Sequence, residues 1–500
     1  MRTIVSLIIT LLLGMLSGTS WGQPFESYDL RVNGAVITVV SADLRGHRRQ
    51  DLIVISRTGT FPKETRWVSV FWQQEGRRFN LHPDLVWEMD PEATVIDVGA
   101  LGAESGRQSI VYLTGSEVRA YQLTGKAQPS PTTLLKIPTL TVFPEPADLP
   151  PLPLIHDWKG TGQPWLGIPQ FGQLALYPIA KEGVQGPGEF VKLYQPTLLF
   201  GAQREHRLIR DYALQLIYRL PQLFVRDFNG DGRADLIAAW QDHVAVYLQG
   251  ATGHFSQEPE QTFFFNLRTE QERTFRSIFI SPLIEDLNGD GYADLVLTKM
   301  SGRITDRRIV TSVYLNRTGN LPVQPDVRVE HDGFATTLFA KDLNGDGKRD
   351  LVFPMAKVGV GSLIRNLLTN RAEVSLFVHL YREQGIYPSA PDWTRNFTYQ
   401  IDISDGVVLQ GIWPNVDGDF NADGKADLLV AGNDEVVVYL ATPEALFARD
   451  PAARVPVKTT AHGIVRDLTD RGRADIVMWY QGSSDWKGVI KVLMNTAKAW

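Results

Sequence analysis

The sequence predicts an all-β fold, a β-propeller of eight four-stranded blades with seven as the fallback count, and three observations carry that expectation. A nine-residue pattern, D-x-N-x-D-G-x-x-D, appears at Asp227–Asp235, Asp286–Asp294, Asp342–Asp350 and Asp419–Asp427. Each copy runs into a short apolar segment (DLIAAW, DLVLTK, DLVFPM, DLLVAG) with the length and bounding turns of a buried strand. A second strand-like segment, usually aromatic, keeps the same period.

The units follow in order along the chain. Degenerate copies of the loop lie at Asp43–Asp51 (DLRGHRRQD), around Asp97 (DVGALGAESGRQS), at Asp157 (DWKGTGQPW) and at Asp467–Asp475 (DLTDRGRAD). The first Asp therefore recurs at 43, 97, 157, 227, 286, 342, 419 and 467, roughly 50 to 75 residues apart, which suits one four-stranded unit with variable loops. The aromatic segments start at Trp67, Glu117, Gln173, His243, Thr311, Val374, Glu435 and Gly488. Each unit reads as strand, acidic loop, buried strand, turn, aromatic strand, turn, outer strand.

Such units cannot bury both faces of their sheet alone, and the radial arrangement solves this. The eighth unit stops at Trp500, soon after its third strand, while Glu26–Val32 (ESYDLRV) belongs to no unit. The N-terminal strand is expected to complete the last blade. The count drops to seven if the Asp97 or Asp157 unit is not a full blade. A linear β-solenoid is the alternative, although its periods are usually much shorter.

Three stretches break the rhythm: residues 191–222, residues 357–373 with helical spacing of Leu363, Ile364, Leu367 and Leu368, and residues 385–410, rich in Pro, Trp and Tyr. They are expected as insertions on a propeller face, covering apolar edges or meeting a partner.

Oxygen-bearing side chains at positions 1, 3, 5 and 9, with Gly at 6 for a sharp turn, are what a hard cation such as Ca²⁺ requires. An EF-hand would add Glu at position 12 and a helix. Here position 12 is Ala238, Leu297, Phe353 and Val430, so these are loops between strands.

With 43% hydrophobic and 21% charged residues, the 500-residue chain can bury a large core. A net charge of −6 gives no support for nucleic-acid binding. Arg2, the apolar stretch Ile4–Leu16 and the small residues up to Gly22, with Ser20 at −3, read as an export signal over residues 1–22, leaving 23–500 as a single propeller domain. The expected location is exported: periplasmic, cell-surface or secreted. No later segment is apolar for long enough to span a bilayer. There is no Cys, so no disulfide supports the fold.

Loops and blade rhythm together resemble the FG-GAP/VCBS repeat family, the calcium-bearing propeller of integrin α-subunit heads and many exported bacterial proteins. The resemblance covers residues 30 to 500, strong in four repeats and weak in four, and the Phe-Gly and Gly-Ala-Pro signatures are not evident. It implies a calcium-stabilised propeller used in adhesion, ligand binding or scaffolding. Carried over, the side-chain ligands are Asp227, Asn229, Asp231 and Asp235; Asp286, Asn288, Asp290 and Asp294; Asp342, Asn344, Asp346 and Asp350; and Asp419, Asn421, Asp423 and Asp427. Position 7 adds a backbone carbonyl, from Arg233, Tyr292, Lys348 and Lys425, so its side chain is expected to vary freely. About four structural Ca²⁺ sites are expected.

In the degenerate loops Arg45 and His47, Lys159, Thr161 and Trp165, and Thr469 and Arg471 stand at ligand positions. A cationic side chain there can pair with the remaining carboxylates, and no metal is expected. None of the nine His residues forms a metal pattern, and no nucleophile elbow or phosphate loop appears. The leading expectation is an exported calcium-binding propeller that binds a protein or glycan through one face; the alternative is a propeller enzyme, a lyase or glycosidase acting on polysaccharide.

Overall fold

The computed structural model describes residues 24–500 apart from 103–105, 124–127, 141–147, 182, 194–197, 203–212, 218–219, 271, 273–277, 304–305, 336, 358, 385, 403–407, 444 and 498–499; the expected export signal lies outside the described residues.

Eight antiparallel sheets follow one another around a ring. Blade 1 consists of Ala35–Ala42, Asp51–Thr60, Lys63–Phe71 and Leu85–Glu88, and blade 4 of Gln222–Arg226, Asp235–Ala239, His243–Tyr247 and Gln261–Phe264. The first strands of neighbouring blades touch one another, as Gln222–Arg226 does with Phe279–Glu285 and Gly411–Gly418 with His462–Arg466, which places them around the axis. Every aromatic segment singled out in the sequence is a third strand. Blade 8 takes His462–Arg466, Asp475–Trp479 and Val489–Asn495 from the C-terminus and its outer strand, Phe25–Arg31, from the N-terminus; Phe25 pairs with Asn495 and Arg31 with Val489. The ring closes as expected, with eight blades.

The second strands explain why their sequences are apolar without alternation. Asp235–Ala239, Asp427–Gly432 and Asp475–Trp479 are buried at every residue, because each blade is covered on both faces by its neighbours. The core is accordingly divided into eight wedges, one per blade pair. Between blades 3 and 4, for example, Trp158, Leu174, Leu176 and Val191 meet Leu236, Ala238, Ala245 and Tyr247. Burying one such side chain is worth about 1.5–3 kcal/mol, so the wedges can hold the ring without a disulfide.

Two expectations need correction. Asp97 does not open a loop: it lies inside the first strand of blade 2, Val95–Ala100, where its Oδ2 accepts the N–H groups of Leu154 and Ile155 at 2.7 Å from blade 3. Ala100 pairs with Gln108, so the connection starts at Leu101, an apolar residue at position 1. Residues 385–410 are not a free insertion either, since Trp393–Asp402 is the outer strand of blade 6. The other two stretches do leave the blade pattern, as the paired strands Leu198–Ala202 and Ala213–Ile217 and as helix α1, Val360–Thr369.

Candidate metal centres

All four intact loops connect the first strand of a blade to the second, as Asp227–Asp235 connects Gln222–Arg226 to Asp235–Ala239. The position-1 carboxylate folds the loop around itself: Asp227 Oδ1 and Oδ2 accept the N–H groups of Gly230 and Gly232, both at 2.7 Å. Asn229 Oδ1 accepts from Asp231 N and Asp231 Oδ1 from Arg233 N, at 3.0 and 2.9 Å. The same pattern holds in the loops of Asp286, Asp342 and Asp419. Positions 1, 3 and 5 thus bring oxygen atoms of two carboxylates and an amide to an exposed turn.

Position 9 behaves differently. Asp235, Asp294, Asp350 and Asp427 are fully buried. Asp235 Oδ2 accepts the N–H of Phe228, at loop position 2 (2.9 Å), and its Oδ1 the N–H of Gln249 beyond the third strand (2.8 Å). Asp294 joins Leu287 to Asn316, Asp350 joins Leu343 to Tyr381, and Asp427 joins Phe420 to Ala441 in the same way. Burial, and then the charges of the position-5 and position-1 carboxylates, push Asp235, Asp350 and Asp427 up to about 6 and Asp294 to about 7.

An all-oxygen donor set with mutually repelling carboxylates fits a hard cation, the accessible donors being the carboxylates at positions 1 and 5, the amide oxygen at position 3 and the backbone carbonyl at position 7. Position 9 is partly committed to backbone. Among the described residues, no group of three or more His, Cys, Asp or Glu converges as an ion-holding cluster.

The degenerate loops of blades 1 and 8 keep the position-1 and position-9 carboxylates and change the rest, whereas that of blade 3 keeps only Asp157, whose Oδ2 accepts from Gly162 N (2.6 Å). In blade 8, Asp467 Oδ2 accepts from Gly472 N (2.6 Å), while Asp475, 1% exposed, accepts from Leu468 N and Asn495 N at 3.0 and 2.7 Å. In blade 1, Asp43 Oδ2 accepts from Arg48 N (2.6 Å) although Arg48 is not Gly and has φ 58°. The expected internal pairing holds there, with Arg45 Nη2 at 2.8 Å from Asp51 Oδ1. It does not hold in the others. Lys159, 2% exposed, reaches Glu189 (2.7 Å) and the Gly253 carbonyl (2.8 Å) instead of Asp157, and Arg471 donates to Thr469 Oγ1 and the Asn495 carbonyl.

Neighbouring loops are bonded around the ring. Ala293 N donates to the Asp227 carbonyl (2.8 Å), Arg349 N to Leu287 (2.8 Å), Ala474 N to Asp419 (2.7 Å) and Gln50 N to Leu468 (2.9 Å). Position 7 is not free at Tyr292: a Cβ on Gly230 (φ 74°) would come within 2.5 Å of that ring, so the two loops approach closely only because Gly stands there. Sequence reading also missed two amides. Asn316 Nδ2 donates to the carbonyls of Phe228 and Ala293 at 2.7 and 3.2 Å, and Asn495 Nδ2 to those of Phe420 and Ala474 at 2.8 and 3.3 Å. The available signal was an amide just after the aromatic strand, as in VYLQ, VYLN and VLMN.

Because strands alternate in direction, first-to-second and third-to-fourth connections share one face, and the other connections share the opposite face. The opposite face carries helix α1 and, among the described residues, six of ten exposed large apolar side chains, Phe61, Phe171, Leu220, Phe264, Phe279 and Leu368; Leu81 and Val323 lie on the loop face, and Val86 and Phe190 on outer strands. Phe25, at the start of the closing strand, and Trp500 meet on the loop face, with ring centroids 5.5 Å apart.

The molecule is therefore an eight-bladed propeller whose acidic loops gather on one face. Its residues 286–353 match the FG-GAP-like repeat, so the chain carries a repeat of that family there. A curated relative, the T-cell immunomodulatory protein homolog of Plasmodium yoelii yoelii, is 21% identical over 262 residues, 48% of this chain and 33% of that protein; the chain thus matches about a third of that relative's length. Similar solved structures include the WD40 domain of SCAP from fission yeast (10% identity, 96% of both chains, TM-score 0.37) and Sqt1 from Chaetomium thermophilum (11%, 93% of this chain and 97% of that one, TM-score 0.43). At such TM-scores the fold rests on the strand pairing itself.

Proposed function

We propose that this chain is an exported, calcium-stabilised propeller that binds a partner protein through the face opposite its acidic loops. The observation that carries the reading is the division of labour between faces. Backbone-locked acidic turns occupy one, and six of the exposed large apolar side chains occupy the other. Their concentration on one side supports a protein contact surface there. Both described ends of the chain lie on the loop face.

Calcium enters this reading as a structural ion. The accessible donors sit on loops whose conformation is already fixed by the position-1 carboxylate, so an ion there would neutralise repelling charges and lock the turn.

The test is differential capture of partner proteins by the chain and two charge variants. Phe264→Asp with Phe279→Asp should abolish capture, whereas Leu81→Asp with Val323→Asp should leave it intact. Equal capture by both variants, or retention of a glycan instead of a protein, would remove the proposed face or the proposed partner class.

A further inference from the structure

Two imidazoles meet inside the wedge between blades 5 and 6. His331 lies on the outer strand of blade 5, Val327–Asp332, and His379 ends the third strand of blade 6, Arg371–His379. Their Nε2 atoms are 3.0 Å apart. His379 is fully buried, and its Nδ1 is 2.8 Å from the carbonyl oxygen of Pro388. A carbonyl only accepts, so the Nδ1 of His379 carries the proton and its Nε2 offers a lone pair. His331 must then donate through Nε2–H. Both tautomers are fixed by one carbonyl.

We propose that this pair is a pH-sensitive latch between blades 5 and 6, closed when both rings are neutral and loosened when either takes a proton. Once His331 has taken a proton at Nδ1 and can no longer shift its Nε2–H, a second proton, on His379 Nε2, would set two N–H groups against each other across the 3.0 Å contact. A proton on His331 Nδ1 would place a charge in an apolar wedge. The His331 ring is stacked on Phe377 at 4.9 Å and 9° and lies 5.0 Å from Phe353, whose ring is also 5.6 Å from His379.

The surroundings do not supply a compensating anion at contact distance. From blade 5 the cross-strand neighbour of His331 is Ile309, flanked by Arg308, which pairs with Glu330. From blade 6 the neighbour of His379 is Leu351; Asp350 before it is occupied by the N–H groups of Leu343 and Tyr381. Asp332 and Asp392 favour the charged rings from further away, and Asp392 is itself engaged by Leu380 N–H and by Arg382. Burial prevails: it lowers His331 to about 4, helped by the charge of His379, and lowers His379 as well.

The sign follows. Both folded-state values lie below the ordinary histidine value, so on acidification the unfolded chain takes up protons that the folded chain refuses. The latch contributes fully above about pH 6.5, and its contribution is lost progressively as pH falls towards the folded-state values.

Histidine-labelled ¹⁵N NMR of the chain would show the Nδ1–H tautomer for His379 and Nε2–H for His331, with His331 titrating only near pH 4 and His379 below the ordinary histidine value. Titration of either ring near pH 6.5, or the opposite tautomers, would overturn the latch. Hydrogen exchange, corrected for intrinsic rates, should speed up about tenfold or more in strands Val327–Asp332 and Arg371–His379 before the other blades as pH is lowered from about 7 to about 5. Uniform loosening of all eight blades would contradict it. The double variant His331→Phe, His379→Leu should lose this local acid response; if it does not fold, the NMR result on the natural chain decides.

Discussion

Blades 7 and 8 contain nearly the same loop and use it differently. DFNADGKAD and DLTDRGRAD share Asp at positions 1 and 9 and Gly at 6. Both position-1 carboxylates take the N–H of that Gly, and both position-9 carboxylates are buried between loop position 2 and a residue at or just past the end of the third strand. At the positions whose side chains were expected as ligands they differ at 3 and 5, with Asn421 and Asp423 in one and Thr469 and Arg471 in the other. The motif thus has two separable parts: a frame, positions 1, 6 and 9, that ties the first strand to the third, and an exposed pair, positions 3 and 5, that on the proposed reading would turn the frame into a cation site. Blade 8 keeps the frame alone.

Removing calcium should break this comparison most strongly. At a hundredfold excess over the dissociation constant each occupied site adds about 2.7 kcal/mol, so chelation should lower the melting temperature by an amount that reflects several sites. No change on chelation would mean that blades 4–7 are no more cation-dependent than blade 8. Next in size is Asp475→Ala, which strands the buried N–H groups of Leu468 and Asn495. A cost of about 2–4 kcal/mol is expected, and in denaturant titrations it should be the same with and without calcium. A calcium-dependent cost would place an ion in blade 8.

Smaller effects sharpen the contrast. Asp231→Ala and Asp346→Ala should each cost at most about 2.7 kcal/mol in calcium and far less in chelator, because exposed position-5 side chains matter chiefly through the ion. Smallest is Arg48→Gly. Arg48 stands at position 6 of the blade-1 loop with φ 58°, and relieving a left-handed non-Gly residue should raise stability by about 1 kcal/mol. A loss would mean that the Arg48 side chain contributes more than its backbone strain costs.

Much of this was legible in the chain because the frame is written in residues with few other uses. Asp at 1 and 9 with Gly at 6 marks the turn, and an unbroken apolar run marks a strand covered on both faces. The closing strand could be placed because ESYDLRV had no unit of its own. Asp97 misled because an Asp before Gly-rich sequence looks like a loop start, yet its carboxylate bridges to the backbone of blade 3 from within a strand. Residues 393–402 misled although WTRNFTYQID alternates, with Trp393, Phe397, Tyr399 and Ile401 on one face and only Arg395 breaking it, because the surrounding Pro, Trp and Tyr residues look like an insertion. The backbone clamp at position 9 could not be read at all: an Asp expected as a ligand and a buried backbone clamp have the same letter, and only the partners Phe228 and Gln249 reveal the clamp.

The measurement that bears most directly on the two-part loop is the number of calcium ions held per chain, counted by native mass spectrometry after dialysis against limiting calcium. Four intact loops among eight blades predict about four ions, and about three after Asp231→Ala. No bound calcium, an ion in every blade, or a count unchanged by Asp231→Ala would contradict the division between frame and cation site.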